Sequence, residues 1–407
     1  MRKKMLFYTL CLLSAFLSAI MVPLDILGEA LSPNIWIYAN LSFTVGTFIS
    51  FVAVLFLLVP YKGKPLGRYV DPNFVGLTLL DRNVLRYFIL MAIGNTIASI
   101  GYFYILYAFP DPSAILPFMQ LSIVYLILGE VFVDKEFPTV LEVHSVISIL
   151  FGALLASISP SGVFDLYGFL IVLVLVNGGT TITVLAQKKV RSMRIGGRRY
   201  DSINIRLWYL FLTTPIFLAT TYLINPDSVL EMFYVGIEII VIVIASMLVT
   251  FFAKVAYIRA LGIGKASITQ AVTSASVILG IPFAIIGWVI MPDIFAEITL
   301  NPWILLIKAI GAVLVTMGII SLALSEVKAM ILIRARPGFS GEELMKSLAK
   351  IRGVSRISAL AGKYDYLISV KIRTLGKGYR LVVRELERVK GIEDFIWLST
   401  LYEWEEI

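Results

Sequence analysis

The sequence has very little of the chemistry on which most enzymes and metalloproteins depend. It holds one cysteine, Cys11, and one histidine, His144, in 407 residues. Cys11 lies inside an apolar run, so neither a disulfide framework nor a cysteine-based metal site is available. A single histidine excludes a histidine cluster, and most zinc sites and Ser-His-Asp triads with it. We therefore expect a protein that is not an enzyme and binds no metal or cofactor.

Charged residues are also scarce. They make up 15% of the chain, whereas hydrophobic residues make up 59%. A soluble globular protein carries about 25% charged and roughly 45–50% apolar residues. The apolar excess lies in long runs before residue 326, while residues 327–407 have an ordinary composition. The composition therefore predicts a multi-pass membrane protein with a water-soluble C-terminal domain.

Apolar runs of the length that a bilayer requires recur along the chain. A spanning helix needs roughly 20 apolar residues. The first run follows a short basic start and lacks a small-x-small cleavage site, so we interpret it as a retained helix rather than a signal peptide. The sequence predicts ten spans, at about 5–26, 33–60, 84–108, 113–133, 140–160, 165–187, 204–224, 235–258, 266–291 and 302–325.

The basic residues of the loops predict an orientation. With a cytosolic N-terminus, the predicted inner loops hold all of the loop Lys and Arg, and the outer loops carry only acids such as Glu29, Asp227 and Asp293. This is the positive-inside pattern. Ten spans then place both termini in the cytosol. The net charge of +8 has its explanation in topology and anionic lipid, and we expect no nucleic-acid partner.

The predicted spans divide into two halves of five. Tyr102 and Tyr257 each end a span before a very short turn, and a Ser-led span follows in both halves. The end of the fifth helix, from Gly152, matches the end of the tenth, from Gly318. Because five is odd, the second half enters the membrane from the opposite side, an arrangement that recurs in secondary transporters.

Residues 5–325 resemble the drug/metabolite transporter superfamily, in particular its EamA-like group with two five-helix repeats. The resemblance rests on Leu31-Ser32-Pro33, the Tyr102 and Tyr257 turns and Leu128-Gly129-Glu130. Ile286-Gly287-Trp288 departs from the pattern, since a Gly-Glu often stands there. The resemblance implies repeats at 1–160 and 161–326, a plasma-membrane location and export or uptake of small metabolites by alternating access.

The pattern changes after residue 326 to short amphipathic elements. Val327, Ala329 and Ile331 alternate with other residues as in a half-buried strand, and Ser340 with Glu343 forms the spacing of a capping box. The order of predicted elements is βαββαβ, the ferredoxin-like arrangement. The sequence thus predicts an α+β domain at 327–407.

Residues 327–407 also resemble the ligand-sensing domain of the leucine-responsive regulatory protein (Lrp/AsnC) family. The resemblance rests on Ala361-Gly362-Lys363-Tyr364-Asp365-Tyr366-Leu367. It implies dimerisation through the sheets and amino-acid binding near the dimer interface, with Gly362, Tyr364 and Asp365 as effector-binding candidates. A domain that only assembles the protein as a homodimer is the alternative.

Polar residues inside spans are costly, so each is a functional candidate. The substrate-binding candidates are Asn95, Gln120, Asn177, Gln270, Thr273 and Lys308. The alternative for the uncharged ones is hydrogen bonding between helices, and Lys308 can instead snorkel outward. The candidates for lining or gating a pathway are Tyr102, Tyr107, Tyr257 and Trp288, for which the aromatic belt at the interface is the alternative.

The acidic residues near helix ends form no obvious proton relay. Asp25, near the outer end of its helix, and Glu130, near the inner end of its own, are charged candidates, and the alternative for both is that they simply face water. No deep carboxylate is evident, so the coupling ion stays open. Together with the two resemblances, these features predict a transporter of small metabolites, an amino-acid exporter, in the lipid bilayer. The alternative is a membrane-tethered metabolite sensor without transport.

Overall fold

The computed structural model of the protein describes residues 2–109, 115–134, 138, 140–157, 165–195, 198–295, 302–324, 327–351, 353–372 and 378–399. Residues 110–114, in the predicted turn before the fourth span, and residues 325–326, which precede the C-terminal domain, lie outside these residues. The chain divides into two compact units. The larger comprises Met5–Phe137 and Ser145–Ile319, and the smaller comprises Met1–Lys4, Pro138–His144 and Ile320–Ile407.

The larger unit is helical. Two short hairpins interrupt it, β1 (Pro60–Tyr61) with β2 (Lys64–Pro65) and β3 (Arg194–Ile195) with β4 (Arg198–Arg199). The helices up to the C-terminal domain are α1 (Arg2–Leu31), α2 (Ile35–Leu57), α3 (Gly67–Val70), α4 (Arg82–Ala108), α5 (Ser122–Gly129), α6 (Val140–Ser157), α7 (Leu166–Ile171), α8 (Asn177–Ser192), α9 (Ser202–Ile224), α10 (Pro226–Glu231), α11 (Ile237–Leu261), α12 (Ala266–Thr273), α13 (Ser276–Ile290) and α14 (Pro302–Leu324).

Within the described residues, nine helical segments are long and apolar enough to cross a membrane. They are Met5–Leu31, Ile35–Leu57, Arg82–Ala108, Leu116–Val133, Leu166–Ser192, Ser202–Ile224, Ile237–Leu261, Ala266–Ile290 and Pro302–Ser321. The predicted multi-pass membrane protein is thereby confirmed. The remaining predicted span, 140–160, corresponds to α6, whose apolar stretch Leu141–Ala156 is shorter than the other nine.

Three of the spanning segments are not regular α-helices. The segment before α5 is a 3-10 helix, Leu116–Leu121, and the one after it is a π-helix, Glu130–Asp134. A second π-helix, Val172–Val176, joins α7 to α8. A turn at Ser274–Ala275 separates α12 from α13. Such departures from α geometry are frequent at functional sites.

Glycines allow the backbones of two helix pairs to touch. A Cβ on Gly94 of α4 would lie 2.8 Å from the carbonyl oxygen of Gly179 in α8. A Cβ on Gly152 of α6 would lie 2.6 Å from the carbonyl oxygen of Gly311 in α14. Small residues are typical of such close contacts in membranes, where van der Waals packing holds helices together.

Contacts between helix ends define two ends of the larger unit. Residues near the C-termini of α5, α8 and α11 meet residues at the N-termini of α9 and α12, and Lys188, Arg191 and Arg259 lie there. We call this the basic end. At the opposite end, the last third of α1 contacts the start of α2, and Asn40 of α2 donates a hydrogen bond to Ser228 of α10.

The smaller unit contains a four-stranded antiparallel sheet. Its strands are β5 (Val327–Ala335), β6 (Val354–Ala359), β7 (Tyr366–Ile372) and β8 (Ile392–Ser399), in the order β6-β7-β5-β8. Its helices are α15 (Gly341–Ala349) and α16 (Gly378–Leu386). The predicted elements therefore occur in the predicted order. The core joins Ile331 and Ile368 of the sheet to Leu344 of α15 and Leu386 of α16.

Two local predictions for this unit have different outcomes. Gly391, where a turn into the last strand was expected, has a φ of 106°, which side chains other than glycine rarely adopt. The capping box is wrong in one respect, because the Ser340 side chain makes no capping hydrogen bond to α15.

Candidate functional site

A carboxylate lies between three helices of the larger unit. The hydroxyl of Tyr38 on α2 and the hydroxyl of Ser246 on α11 both donate to Oδ1 of Asp25 on α1, each at 2.5 Å. Tyr38 and Ser246 are buried, whereas Asp25 is half-buried. Oδ2 of Asp25 has no hydrogen-bond partner among the described residues. One oxygen of this carboxylate is thus held in place and the other is open.

The Asp25 carboxylate lies near the end of α1 but inside the helix. Asp25 precedes the end of α1 at Leu31 by about 9 Å, at a rise of 1.5 Å per residue. Its partner Ser246 lies further in, about 14 Å along α11 from the first residue, Ile237, by the same rise. The position near a helix end agrees with the sequence prediction, and the carboxylate is half-buried there. The tertiary contact with Ser246 is what the sequence does not indicate.

Other polar groups surround Asp25. Glu29, one turn further along α1, is half-buried. Asp25 and Glu29 both act electrostatically on Tyr102 of α4, a predicted pathway residue. No Lys or Arg in the described part of the chain forms an ion pair with Asp25. The group is acidic, and within the described ranges no ion pair neutralises it.

Glu130 occupies a very different environment at the basic end. It is 2% exposed. Its Oε1 accepts hydrogen bonds from Nζ of Lys188 at 2.7 Å and from the backbone N–H of Ala266 at 2.5 Å. Its Oε2 accepts from the Ser267 hydroxyl. The alternative that Glu130 simply faces water is wrong, because its carboxylate is buried against Lys188 of α8 and the N-terminus of α12, where a negative charge is favourable.

A second buried ion pair lies at the basic end. Asp71, which follows α3, is fully buried and accepts from the Arg191 guanidinium at 2.8 Å and from the Ser202 hydroxyl at 2.7 Å. Burial by itself raises the pKa of the Asp71 carboxyl. The Arg191 charge and the hydrogen bonds from Ser202 and Asn73 outweigh burial, so the pKa lies below its ordinary value.

Further hydrogen bonds join the same segments at the basic end. Arg191 also donates to the carbonyl oxygen of Tyr200, and Arg259 of α11 donates to the carbonyl oxygen of Val70. Asp201 caps α9 by accepting from the backbone N–H of Asn204 at 2.8 Å. Burial raises the pKa of Asp201, although the Asn204 bonds oppose this effect. The segment between α2 and α4 is thereby tied to α8, α9 and α11.

Four of the predicted polar residues have hydrogen-bond partners in the structure. Tyr257 donates from its hydroxyl to Oε1 of Gln270 at 2.8 Å, which joins α11 to α12. Asn177 is fully buried and donates from Nδ2 to the carbonyl oxygen of Phe118 at 3.0 Å, while its Oδ1 has no partner within the described residues. Thr273 bonds only to backbone carbonyls of its own helix.

The other predicted residues lie on separate helices or are exposed. Asn95, Gln120, Lys308 and Trp288 are half-buried on separate helices. Tyr107 is 58% exposed, and its ring lies 6.2 Å from that of Trp36, which fits an interfacial aromatic residue.

A cavity of about 250 Å³ lies between α4, the π-helix before α8, and α9. Hydroxyls of threonine are the polar groups of its wall, so it offers little to a polar solute. None of the predicted substrate residues lines it. The lining residues are Ile93, Thr96, Ile97, Ile100, Leu175, Ile216 and Thr220.

The effector candidates of the smaller unit lie at the turn from β6 to β7. Asp365 has a structural role, because its Oδ2 accepts from the backbone N–H of Ala335 at 2.7 Å and its own N–H donates to the carbonyl oxygen of Ile333. Gly362 has a φ of 152°, and Tyr364 is half-buried. Among the described residues, no group of three or more His, Cys, Asp or Glu is placed to hold a metal ion.

Comparisons with known proteins bear on the fold alone. No family model matches the sequence, and no curated protein sequence matches it. A solved structure, described only as the crystal structure of a protein, is similar with a TM-score of 0.54 at 15% identity. The similarity covers 79% of this chain and 96% of the other. An arrangement of this kind therefore exists in a solved protein.

Proposed function

We propose that the protein is a secondary transporter of small metabolites, an amino-acid exporter of the EamA-like drug/metabolite transporter type. Ten spanning helices would form two inverted five-helix repeats in the plasma membrane. Both termini would lie in the cytosol. Residues 327–407 would form a ferredoxin-like domain of the Lrp/AsnC sensing type. The contact between α6 and α14 carries this proposal furthest.

That contact is reciprocal. The sequence repeat aligns Gly152 of α6 with Gly318 of α14, and the same offset aligns Ser145 with Gly311. Gly152 lies against the Gly311 carbonyl, and Gly318 lies against the Ser145 carbonyl. The Ser148 hydroxyl donates to the carbonyl oxygen of Leu314 at 3.0 Å, and this offset aligns these two residues with each other. A contact that maps onto itself is typical of a two-fold axis, here between the two repeats.

The ends of the helices support a tenth span. The C-termini of α5 and α8 lie at the same basic end. The span Leu166–Ser192, which ends with α8, starts at the opposite end. The chain between Asp134 and Leu166 has to return across the membrane once, and α6 is the helix available for that crossing.

The interrupted helices support a central site. In the repeat, the span with Gln120 corresponds to the span with Gln270, and Gln120 itself aligns with Ser274. The 3-10 helix of the first span ends at Leu121, and the second span breaks at Ser274–Ala275. Interrupted helices at corresponding positions of two halves are the usual sign of a binding site in transporters.

The smaller unit supports a sensing or assembly role. Its element order and its sheet order agree with a ferredoxin-like fold. The sheet face away from α15 and α16 has an apolar centre, whose residues pair across strands, Met330 with Leu398 and Leu332 with both Ile396 and Leu367. Ile396 and Leu398 are exposed. A second copy of the domain would cover this face, as the homodimer proposal requires.

The dimer has a direct test. Leu332→Glu places a charge on the apolar face without touching the core, so the full chain in detergent is expected to change from dimer to monomer. The mass of the protein, with detergent subtracted, gives the result by light scattering. Arg388→Glu, at an exposed position after α16, is the control and keeps the dimer. A wild-type monomer would contradict the proposal.

Transport itself is tested with the full chain in liposomes loaded with a mixture of radiolabelled amino acids. For a subset of the amino acids, we expect faster efflux than from loaded liposomes that contain no protein. A chain that ends at residue 326 is expected to transport without the response to internal amino-acid concentration. No efflux of any amino acid would favour the alternative, a tethered sensor whose helices only anchor it.

A further inference from the structure

We infer that Asp25 is a proton-binding site inside the membrane, and that its protonation couples the transport cycle to the proton gradient. The inference rests on the proposed transport function and adds to it the driving ion. It starts from three observations: the position of Asp25 about 9 Å inside the end of a membrane-spanning helix, the single saturated oxygen of its carboxylate, and the lack of a basic partner in the described part of the chain.

The first step concerns charge. An ionised carboxylate inside a membrane is costly, and proteins keep one there by pairing it with a cation or by protonating it. Glu130 and Asp71 are paired with Lys188 and Arg191. Asp25 has no such pair among the described residues. A mobile cation that arrives and leaves is the remaining way to neutralise it.

The second step concerns the hydrogen bonds. The hydroxyls of Tyr38 and Ser246 converge on Oδ1, which suits the ionised form. Because a hydroxyl both donates and accepts, each can turn when a proton arrives. Oδ2 stays open to receive that proton. A metal cation would need several oxygen ligands at once, and here the hydroxyls already point at the occupied oxygen.

The third step concerns access. The titratable groups that face Asp25 are Glu29 on its own helix, Tyr38 on α2 and Tyr102 on α4, while α11 contributes the hydroxyl of Ser246. Glu29 lies one turn nearer the end of α1, which is the nearer end of the helix to Asp25. A proton therefore has its shortest route to Asp25 from that end, with Glu29 beside it.

The experiment has a spectroscopic arm that needs no substrate. The full chain in liposomes is titrated with acid while infrared difference spectra record the C=O stretch of protonated carboxyls. We expect one such band to be absent in Asp25→Asn. Tyr38→Phe, which keeps the ring and the carboxyl, is expected to keep the band and move its midpoint. Asp227→Asn, an exposed acid on α10, is the control and leaves the band unchanged.

The second arm measures amino-acid efflux from the same liposomes with and without an imposed proton gradient. Wild type is expected to respond several-fold to the gradient, whereas Asp25→Asn transports at one rate in both conditions. Efflux that ignores protons or follows sodium would overturn the inference and leave the transport proposal intact. If wild type transports nothing, the transport proposal fails, and the infrared band still decides whether Asp25 takes up a proton. Identical titrations of wild type and Asp25→Asn would overturn the inference.

Discussion

The carboxylates at the two ends of the helical unit have opposite environments. At the basic end, Glu130 and Asp71 each have a cation and hydroxyl or backbone donors on both sides of the carboxylate. Near the opposite end, Asp25 has two hydroxyls on one oxygen and an open second oxygen. A carboxylate whose oxygens are all occupied holds helices together. A carboxylate with a free oxygen inside a membrane is available to a ligand.

The largest expected effect is at Asp71. Asp71→Asn leaves the buried Arg191 charge without its partner, and breaking a buried pair in this way costs about 3–5 kcal/mol. We expect a large fall in the thermal midpoint of the protein in detergent. Asp25→Asn is the matched change, and it should cost less than ~1 kcal/mol because no charge is left unpaired. If both variants lost the same stability, the proposed difference between the two ends would be wrong.

The double variant Asp71→Asn, Arg191→Met sharpens the first prediction. Removing both charges leaves no uncompensated ion, so stability should recover part of what Asp71→Asn loses. A loss equal to the sum of the two single losses would show that the pair is not coupled.

The stability that Asp71 contributes at the basic end should also depend on pH. The pKa of Asp71 is lowered in the folded protein. Its contribution is therefore fully present above the pKa of an unfolded Asp, about 3.9, and is lost as pH falls towards the folded value. Wild type should lose stability over this acidic window, and Asp71→Asn should lose less. Thermal unfolding measured from neutral pH down to that window is the test.

A smaller effect is expected at the contact between α4 and α8. A Cβ on Gly179 would lie 2.6 Å from the backbone nitrogen of Ala98, whereas one on the neighbouring Gly178 meets nothing within 4 Å. Gly179→Ala should cost about 1–3 kcal/mol by forcing the helices apart. Gly178→Ala should be neutral or stabilising, since alanine favours a helix. The same unfolding measurement compares the two.

The smallest effect on stability is expected at Tyr257. Tyr257→Phe removes only the hydrogen bond to Gln270, and such bonds between membrane helices are worth about 0.6 kcal/mol on average. If Gln270 contacts the substrate, as the sequence predicts, efflux should change more than stability does. Efflux and thermal midpoint measured on one preparation distinguish a site residue from a packing residue.

Much of the fold is predictable from the sequence because it depends on local patterns. Helix length follows from apolar runs, and the alternation after Val327 predicts β5. The irregular segments are harder, since the π-helix Val172–Val176 is a plain apolar run in sequence. The candidate site is harder still to predict. The position of Asp25 along α1 gives no sign of its partner Ser246, because Ser246 lies 221 residues away in the chain.

The sequence by itself determined that the chain crosses a membrane many times and ends in a βαββαβ unit, because hydropathy and periodicity act over neighbouring residues. Only the tertiary structure decided which acids are ion-paired and which acid has a carboxylate oxygen without a partner among the described residues. The partners of Glu130 and Asp71 on α12 and α9 come from more than a hundred residues away. Whether a buried charge is neutralised depends on such distant groups, and no local pattern encodes them.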